Sequence, residues 1–183
     1  MNTKANNSTK ADAPNSRDAL FLLSEYDIFA YDQVWNTSAG QTYSGSTIRT
    51  TLNKTSSGGT LYDCFSSIER GAILSTTNSE DSTIGSSNTD KIDWSGKNCS
   101  AYGCGLTGDK LFLLSAKEAV NKSYGFADLG NVYSDSNRIT KRGGAAGSST
   151  YWWLRSAFSL STLRVAYVAS GGYAVITIPM VPR

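Results

Sequence analysis

The chain has 183 residues, with 17 Lys and Arg against 15 Asp and Glu, and contains no His. The length suits one domain of about 100–200 residues, and no basic run interleaved with aromatics tracks a phosphate backbone, so nucleic acid is not expected as a partner. Lack of His removes the usual general base at neutral pH and the commonest transition-metal ligand, which excludes catalytic triads and His-based zinc sites.

Residues 1–18, MNTKANNSTKADAPNSRD, are polar, cannot bury enough apolar area to offset their ordering entropy, and are expected as a disordered tail before a domain over 19–183. They lack the apolar core of a secretory signal, and no run of about 18 apolar residues follows, so the chain reads as soluble, without direct membrane insertion. The first structural signal is Leu20-Phe21-Leu22-Leu23-Ser24, and the same letters recur as Leu111-Phe112-Leu113-Leu114-Ser115. A short apolar run bounded by polar residues predicts a buried strand. Each Ser is followed three residues later by an acid, Asp27 or Glu118, the arrangement of a helix N-cap; Ser115-Ala116-Lys117-Glu118 is a full capping box.

Between the copies, Ser46 caps a predicted helix that runs through Ile48 and Leu52 and stops near Asn53. Leu61, Phe65, Ile68, Ala72 and Ile73 then fall at helical spacing and predict one apolar face on a second helix, where Cys64 reads as a small buried hydrophobe. From Ser75 to Gly108 the chain is a long polar excursion rich in Ser, Thr, Asn, Gly and Asp. Loops of that length are uncommon unless functional or disordered. Cys99 and Cys104 lie within it, open to a bridge in an oxidising compartment and otherwise reduced thiols. Three cysteines are one short of an all-thiolate zinc site. The acids Asp81, Asp90 and Asp93 are where a structural calcium ion would sit; no other cofactor or metal is expected. A further polar run, Tyr133 to Thr150, ends in a Gly-rich stretch that lacks the Gly-Lys-Ser/Thr closure of a phosphate loop and reads as a connector.

From Tyr151 the character changes. Tyr151-Trp152-Trp153-Leu154-Arg155-Ser156 predicts a strand with Trp152, Leu154 and Ser156 on one face, entering the core, and Tyr151, Trp153 and Arg155 on the other. Arg155 is expected to stack on Trp153, to meet a loop carboxylate, or to brace loop carbonyls. Further on, the small set around Ala166 and Val168 suits an inner face, which turns Tyr167, Ala169, Gly171 and Tyr173 outward. Exposed apolar residues with Tyr and Arg among them mark contact surfaces, the rival reading being an ordinary hydrophobic sheet edge.

Ser46-Thr47-Ile48-Arg49 with Leu52-Asn53, Asp109-Lys110-Leu111-Phe112-Leu113-Leu114-Ser115 with Glu118, Trp152-Trp153-Leu154-Arg155-Ser156, Ala166 with Val168, Gly172, and Val181-Pro182-Arg183 form an ordered motif set. In this set the chain resembles a bacterial and viral family of uncharacterised domains with a C-type-lectin-like fold, related in fold to formylglycine-generating enzyme. The resemblance runs from about Leu20 to the end and departs at the last residues, where the family reads Val-Arg-Pro and continues. It implies an α+β fold with mixed or antiparallel sheets, two or more helices and long irregular inserts. It also implies that the last segment, about 151–183, is the variable region of a diversity-generating retroelement. The diversified, ligand-contacting positions would be Phe158, Leu160, Thr162, Leu163, Arg164, Tyr167, Ala169, Gly171, Tyr173, Ile176 and Ile178, with Trp152, Trp153 and Arg155 as the scaffold of the site. The related enzyme works through active-site cysteines, and none lies in this segment, so no catalytic activity is expected. The expected function is a module that binds a protein or cell-surface ligand, displayed on a virion or cell. The alternatives are a calcium-dependent carbohydrate-binding lectin, disfavoured because residues 151–183 contain no acid, and a structural virion or surface protein.

Overall fold

A computed structural model of the chain describes residues 3–8, 19–24, 35, 42–78, 105–116, 118–120, 125–126, 134–142, 146–157 and 164–179. Its elements are short: strands β1 (Thr3–Ser8) and β2 (Ala19–Ser24), helices α1 (Thr47–Asn53), α2 (Thr60–Asp63) and α3 (Ser67–Ala72), then β3 (Thr76–Asn78) and β4 (Leu106–Asp109). After them come β5 (Thr140–Lys141), β6 (Ser149–Thr150), β7 (Trp152–Ala157), β8 (Arg164–Val168) and β9 (Ala174–Pro179). Among the described residues all the strand pairings are antiparallel: β1 with β2, β3 with β4, β5 with β6, and a three-stranded sheet in the order β7-β8-β9. The class is mixed α+β. Strand β1 lies within the stretch read from sequence as a tail, and β2 is the strand foreseen at Leu20–Ser24.

The three-stranded sheet organises the interior because both of its faces are covered. Leu154, Ala166 and Val168 face one apolar cluster with Leu114, Ala116, Ala119, Val120 and Phe126. Val165 and Trp153 face the other, built on Trp35, Tyr43, Ile48, Leu52 and Leu106, while Phe112 packs against both. Strand pleating sends successive side chains to opposite sides, so Val165 and Ala166 serve different clusters. The sequence assigned only one face of β7 to the core; here Trp153 and Arg155 are also drawn inward, and Arg155 is fully buried. Truncating Leu154, which has no exposed surface, to Ala would cost about 2–5 kcal/mol.

Helix α1 forms as its cap signal requires. The Ser46 hydroxyl accepts from the Arg49 N–H at 3.2 Å and donates to the Tyr43 carbonyl at 2.8 Å. Ile48 and Leu52, four apart, bury together. Asn53, the last helical residue, then takes the place of a partner strand for the chain beyond β4. Its Oδ1 accepts from the N–H groups of Lys110 and Leu111 at 2.8 and 3.1 Å, and its Nδ2 donates to the Leu111 carbonyl at 2.7 Å. Arg49 grips the same place through a bidentate pair with Asp109, Nε to Oδ1 at 2.6 Å and Nη2 to Oδ2 at 3.0 Å.

Four expectations are corrected here. The second helix does not run through Leu61 to Ile73. Ser66 and Glu69 make a capping box, Ser66 N–H to Glu69 Oε2 at 2.7 Å and Glu69 N–H to Ser66 Oγ at 3.3 Å, and this starts a separate helix. The apolar face is thereby broken, so Leu61 is buried but Ile68 is 84% exposed. Cys64 is exposed rather than buried, because it caps the four-residue α2 at the surface. The run Leu111–Ser115 is not a strand. Its polar groups are taken by side chains and by single backbone bonds, with the Arg155 N–H donating to the Leu114 carbonyl at 2.9 Å. The capping box after it is present, with Ser115 N–H to Glu118 Oε2 at 2.9 Å and Glu118 N–H to Ser115 Oγ at 3.0 Å. It opens a 3-10 turn, Glu118–Val120. The polar connector before Tyr151 likewise contains structure, a 3-10 turn at Ser136–Arg138 and the β5–β6 hairpin.

Candidate functional site: an aromatic sheet end and a clamped hairpin

Strand β7 brings aromatic rings together with β8. Trp153 pairs with Tyr167 across the ladder, and Tyr151 precedes Trp153 by two residues, which puts it on the same face. The three rings pack edge to face around one another, with centroids 6.0 Å apart for Tyr151 and Tyr167, 6.2 Å for Tyr151 and Trp153, and 6.4 Å for Trp153 and Tyr167. Such tilted contacts are favoured by the ring quadrupole. Behind them Trp35 lies 6.1 Å from Trp153 and 5.8 Å from Tyr43, so a continuous line of rings runs from the core to the surface. The indole N–H of Trp35 is buried and meets no hydrogen-bond partner among the described residues. Exposure rises along the line: Tyr43 is buried, Trp153 and Tyr167 are half-buried, and Tyr151 is 45% exposed. Burial, and then the neighbouring Tyr151, pushes the Tyr167 phenol above its ordinary value, so its hydroxyl stays neutral and able both to donate and to accept.

Arg155 holds this sheet to the second capping box. Its Nη1 and Nη2 meet Glu118 Oε2 and Oε1 at 2.5 and 2.9 Å, and Nη1 also donates to the Leu113 carbonyl at 2.8 Å. The guanidinium lies over the Phe112 ring at 5.8 Å. The loop carboxylate foreseen for Arg155 is therefore the same acid that completes the cap, and the carbonyl brace is present as well. With its side chain sealed from solvent, Arg155 positions the strand and does not reach the surface. Trp152 is fixed on the other face by its Nε1–H, which donates to the Arg138 carbonyl at 2.9 Å.

The turn from β8 to β9 is clamped from outside. Gly172 has φ 77°, and a Cβ there would sit 2.3 Å from the Asp135 carbonyl oxygen, so only glycine fits. Its own carbonyl accepts from Arg138 Nε at 2.9 Å and from the Asp135 N–H at 3.3 Å. Ser134 Oγ donates to the Gly171 carbonyl at 2.6 Å. The buried Arg138 also lies 3.6 Å from Asp135, and desolvation lowers its pKa from the ordinary value while Asp135 opposes the shift.

Among the positions singled out in the sequence, Tyr167, Ala169 and Gly171 are half-buried, and Tyr173 is 43% exposed at the turn. Ile176 pairs in register with Tyr167, Ile178 with Val165, and Arg164 with Pro179. Phe158, Leu160, Thr162 and Leu163 lie outside the described residues, as do Asp27, Asp81, Asp90, Asp93, Cys99 and Cys104. Sequence reasoning placed Tyr151 on the face away from the core but did not count it among the site residues, although its two-residue spacing from Trp153 was the signal. It also missed the Ser134, Asp135 and Arg138 clamp, for which a contact spanning more than thirty residues left no local pattern. Among the described residues no three acidic or cysteine side chains converge as metal ligands, and no helix is long and apolar enough to cross a membrane.

A family model described as a domain of unknown function, DUF6273, matches residues 18–178. No curated protein and no solved structure matches the chain.

Proposed function

We propose that this chain, which belongs to the DUF6273 family, is a ligand-binding module whose C-terminal face contacts a protein or cell-surface ligand. The observation that carries the reading is the graded aromatic surface: Tyr151 and Tyr173 are exposed and Tyr167 half-buried, on a sheet whose interleaved Leu154, Ala166 and Val168 are fully buried. Tyrosine offers a large rigid contact area and a polar tip at low entropic cost, which suits protein contacts. Residues 151–183 contain no Asp or Glu, so a calcium-bridged sugar has no carboxylate there to hold its ion. The module performs recognition rather than catalysis.

The finer reading is a C-type-lectin-like fold whose variable region is rewritten by a retroelement. Its support is the split between fixed and replaceable positions. Trp152, Leu154, Arg155, Ala166, Val168 and Gly172 are each tied to the interior by burial or hydrogen bonds, whereas Tyr167, Ala169, Gly171 and Tyr173 are at least partly accessible. Sequencing the same gene from many isolates tests this. Substitutions confined to the accessible positions and to their companions at 158, 160, 162–164, 176 and 178 are expected. Substitutions spread evenly over the domain would sink the diversification reading. Glycan binding abolished by a calcium chelator would replace protein recognition with lectin activity.

A further inference from the structure

Gly171 and Gly172 are neighbours in one turn, but a side chain would meet different obstacles at each. At Gly172 the obstacle is backbone, and φ is positive. Gly171 lies outside the positive-φ region, and the three atoms nearest to a Cβ there all belong to the ring of Tyr173: Cε2 at 2.7 Å, Cδ2 at 3.0 Å and Cζ at 3.9 Å. The ring therefore lies over the glycine. Contacts below 3.0 Å are not tolerated, so something must move when residue 171 gains a side chain.

The backbone is the part that cannot yield. The Gly172 N–H donates to the Ala169 carbonyl at 2.8 Å, and the Ala169 N–H to the Tyr173 carbonyl at 3.0 Å. Ser134 and Arg138 hold the carbonyls of Gly171 and Gly172 from outside. Tyr173 is 43% exposed, so its ring has solvent to swing into at the cost of a rotamer change. We propose that Gly171 is a positioning residue of the recognition surface: the missing side chain lets the Tyr173 ring lie down over the turn, and any larger residue at 171 redirects that ring. Residues 171 and 173 then act as one recognition unit, and specificity changes at 171 without 171 itself touching the ligand. This inference rests on the binding function proposed above, but its structural half is measurable without any ligand.

The test uses the full chain and the variants G171A, Y173A and G171A/Y173A. In the parent, nuclear Overhauser contacts between the Gly171 Hα protons and the Tyr173 ring are expected. In G171A those contacts to residue 171 weaken, nitration of Tyr173 by tetranitromethane, located by peptide mass, accelerates by about twofold or more as the ring leaves its seat, and the urea midpoint stays near that of the parent. Should G171A fold poorly, the double variant decides: with the ring removed, adding the methyl at position 171 leaves the midpoint of Y173A unchanged. The binding arm uses peptides selected on the parent chain from a random phage-displayed library. G171A and Y173A each weaken the selected peptides about tenfold, and the double variant is no worse than Y173A, the non-additivity of one shared contact. Unchanged ring contacts and nitration in G171A overturn the positioning role. Redirected nitration with unchanged peptide affinity in both single variants leaves ring seating intact but removes this pair from recognition, which overturns the unit. Failure to select any peptide, with nitration as expected, counts against the binding function and not against the seating of the ring.

Discussion

Replacing Glu118 with Gln should strongly destabilise the protein by leaving the buried Arg155 without its counter-charge. The Arg155 side chain has no exposed surface and that of Glu118 only 9%, and two guanidinium nitrogens meet the carboxylate at 2.5 and 2.9 Å. Gln keeps the shape and one carbonyl oxygen for the Ser115 N–H, so the cap largely survives. What disappears is the counter-charge, leaving the Arg155 guanidinium buried beside a neutral amide while the Leu113 carbonyl still accepts from it. Breaking a buried pair by removing one partner costs about 3–5 kcal/mol, a large part of the about 5–15 kcal/mol that holds a domain together. Urea unfolding followed by tryptophan fluorescence suits the measurement, because Trp152 and Trp153 lie on the same strand as Arg155. Arg155→Met in the Glu118→Gln background should recover much of the loss, because no uncompensated charge is left inside; a coupling energy of about 1–3 kcal/mol is expected from the cycle. A loss below about 1 kcal/mol in Glu118→Gln, or strict additivity in the double variant, would refute the reasoning.

Gly172→Ala should cost at least about 2 kcal/mol in the same assay, since strain at positive φ adds to a Cβ forced against the Asp135 carbonyl; a neutral result would mean that the turn is free to move. Asn53→Ala removes the acceptor for two backbone N–H groups and the donor to the Leu111 carbonyl, and should cost about 2–3 kcal/mol at about 1 kcal/mol per net hydrogen bond, visible as a lowered urea midpoint. Native protein should react with a maleimide at Cys64 without denaturant, and protection of that thiol would contradict its surface placement. Burial pushes the Tyr43 phenol well above its ordinary value of 10.0, outweighing the lowering by its hydrogen bond to Leu113. Its contribution to stability is therefore complete below pH about 10 and is lost as pH rises towards the folded-state value, because the unfolded chain releases the proton first. Urea midpoints should fall as pH rises above about 10, and Tyr43→Phe should flatten that fall.

Much of the local chemistry was readable because its partners are near in sequence. Ser46 as a cap, the Ser115 and Glu118 box and the alternation of Ala166, Tyr167 and Val168 each depend on neighbours within four residues. Failures came where two local signals competed. The apolar spacing from Leu61 to Ile73 predicted one helix, yet the Ser66 and Glu69 capping box lay inside the same stretch and cut it in two. The second apolar run, Leu111–Ser115, looked like its twin at β2, but side chains took strand-type bonds along it: Asn53 accepts the Lys110 and Leu111 N–H groups where the run begins, and Glu118 accepts the Ser115 N–H where it ends. Periodicity also could not say that β7 is covered on both faces. That depends on Trp35 and Tyr43 arriving from more than a hundred residues upstream.

The same long-range contacts hold the strand and turn independently of the side chains that face solvent. Arg155 is held by Glu118 and Leu113, Trp152 by Arg138, and Gly172 by Asp135 and Arg138. Each tie ends on a residue outside 151–183, so the strand and turn geometry does not depend on the side chains that face solvent. Substitution at Tyr167, Ala169 or Tyr173 then changes the surface while the ties stay in place, and surface changes away from such features usually fall within about 0.5 kcal/mol. Tyr167 is the exception within that set, because its ring packs on both Tyr151 and Trp153, and replacing it loses two edge-to-face contacts of about 0.5–1.5 kcal/mol each. The surface should therefore tolerate substitution most freely at 169 and 173 and favour another aromatic at 167.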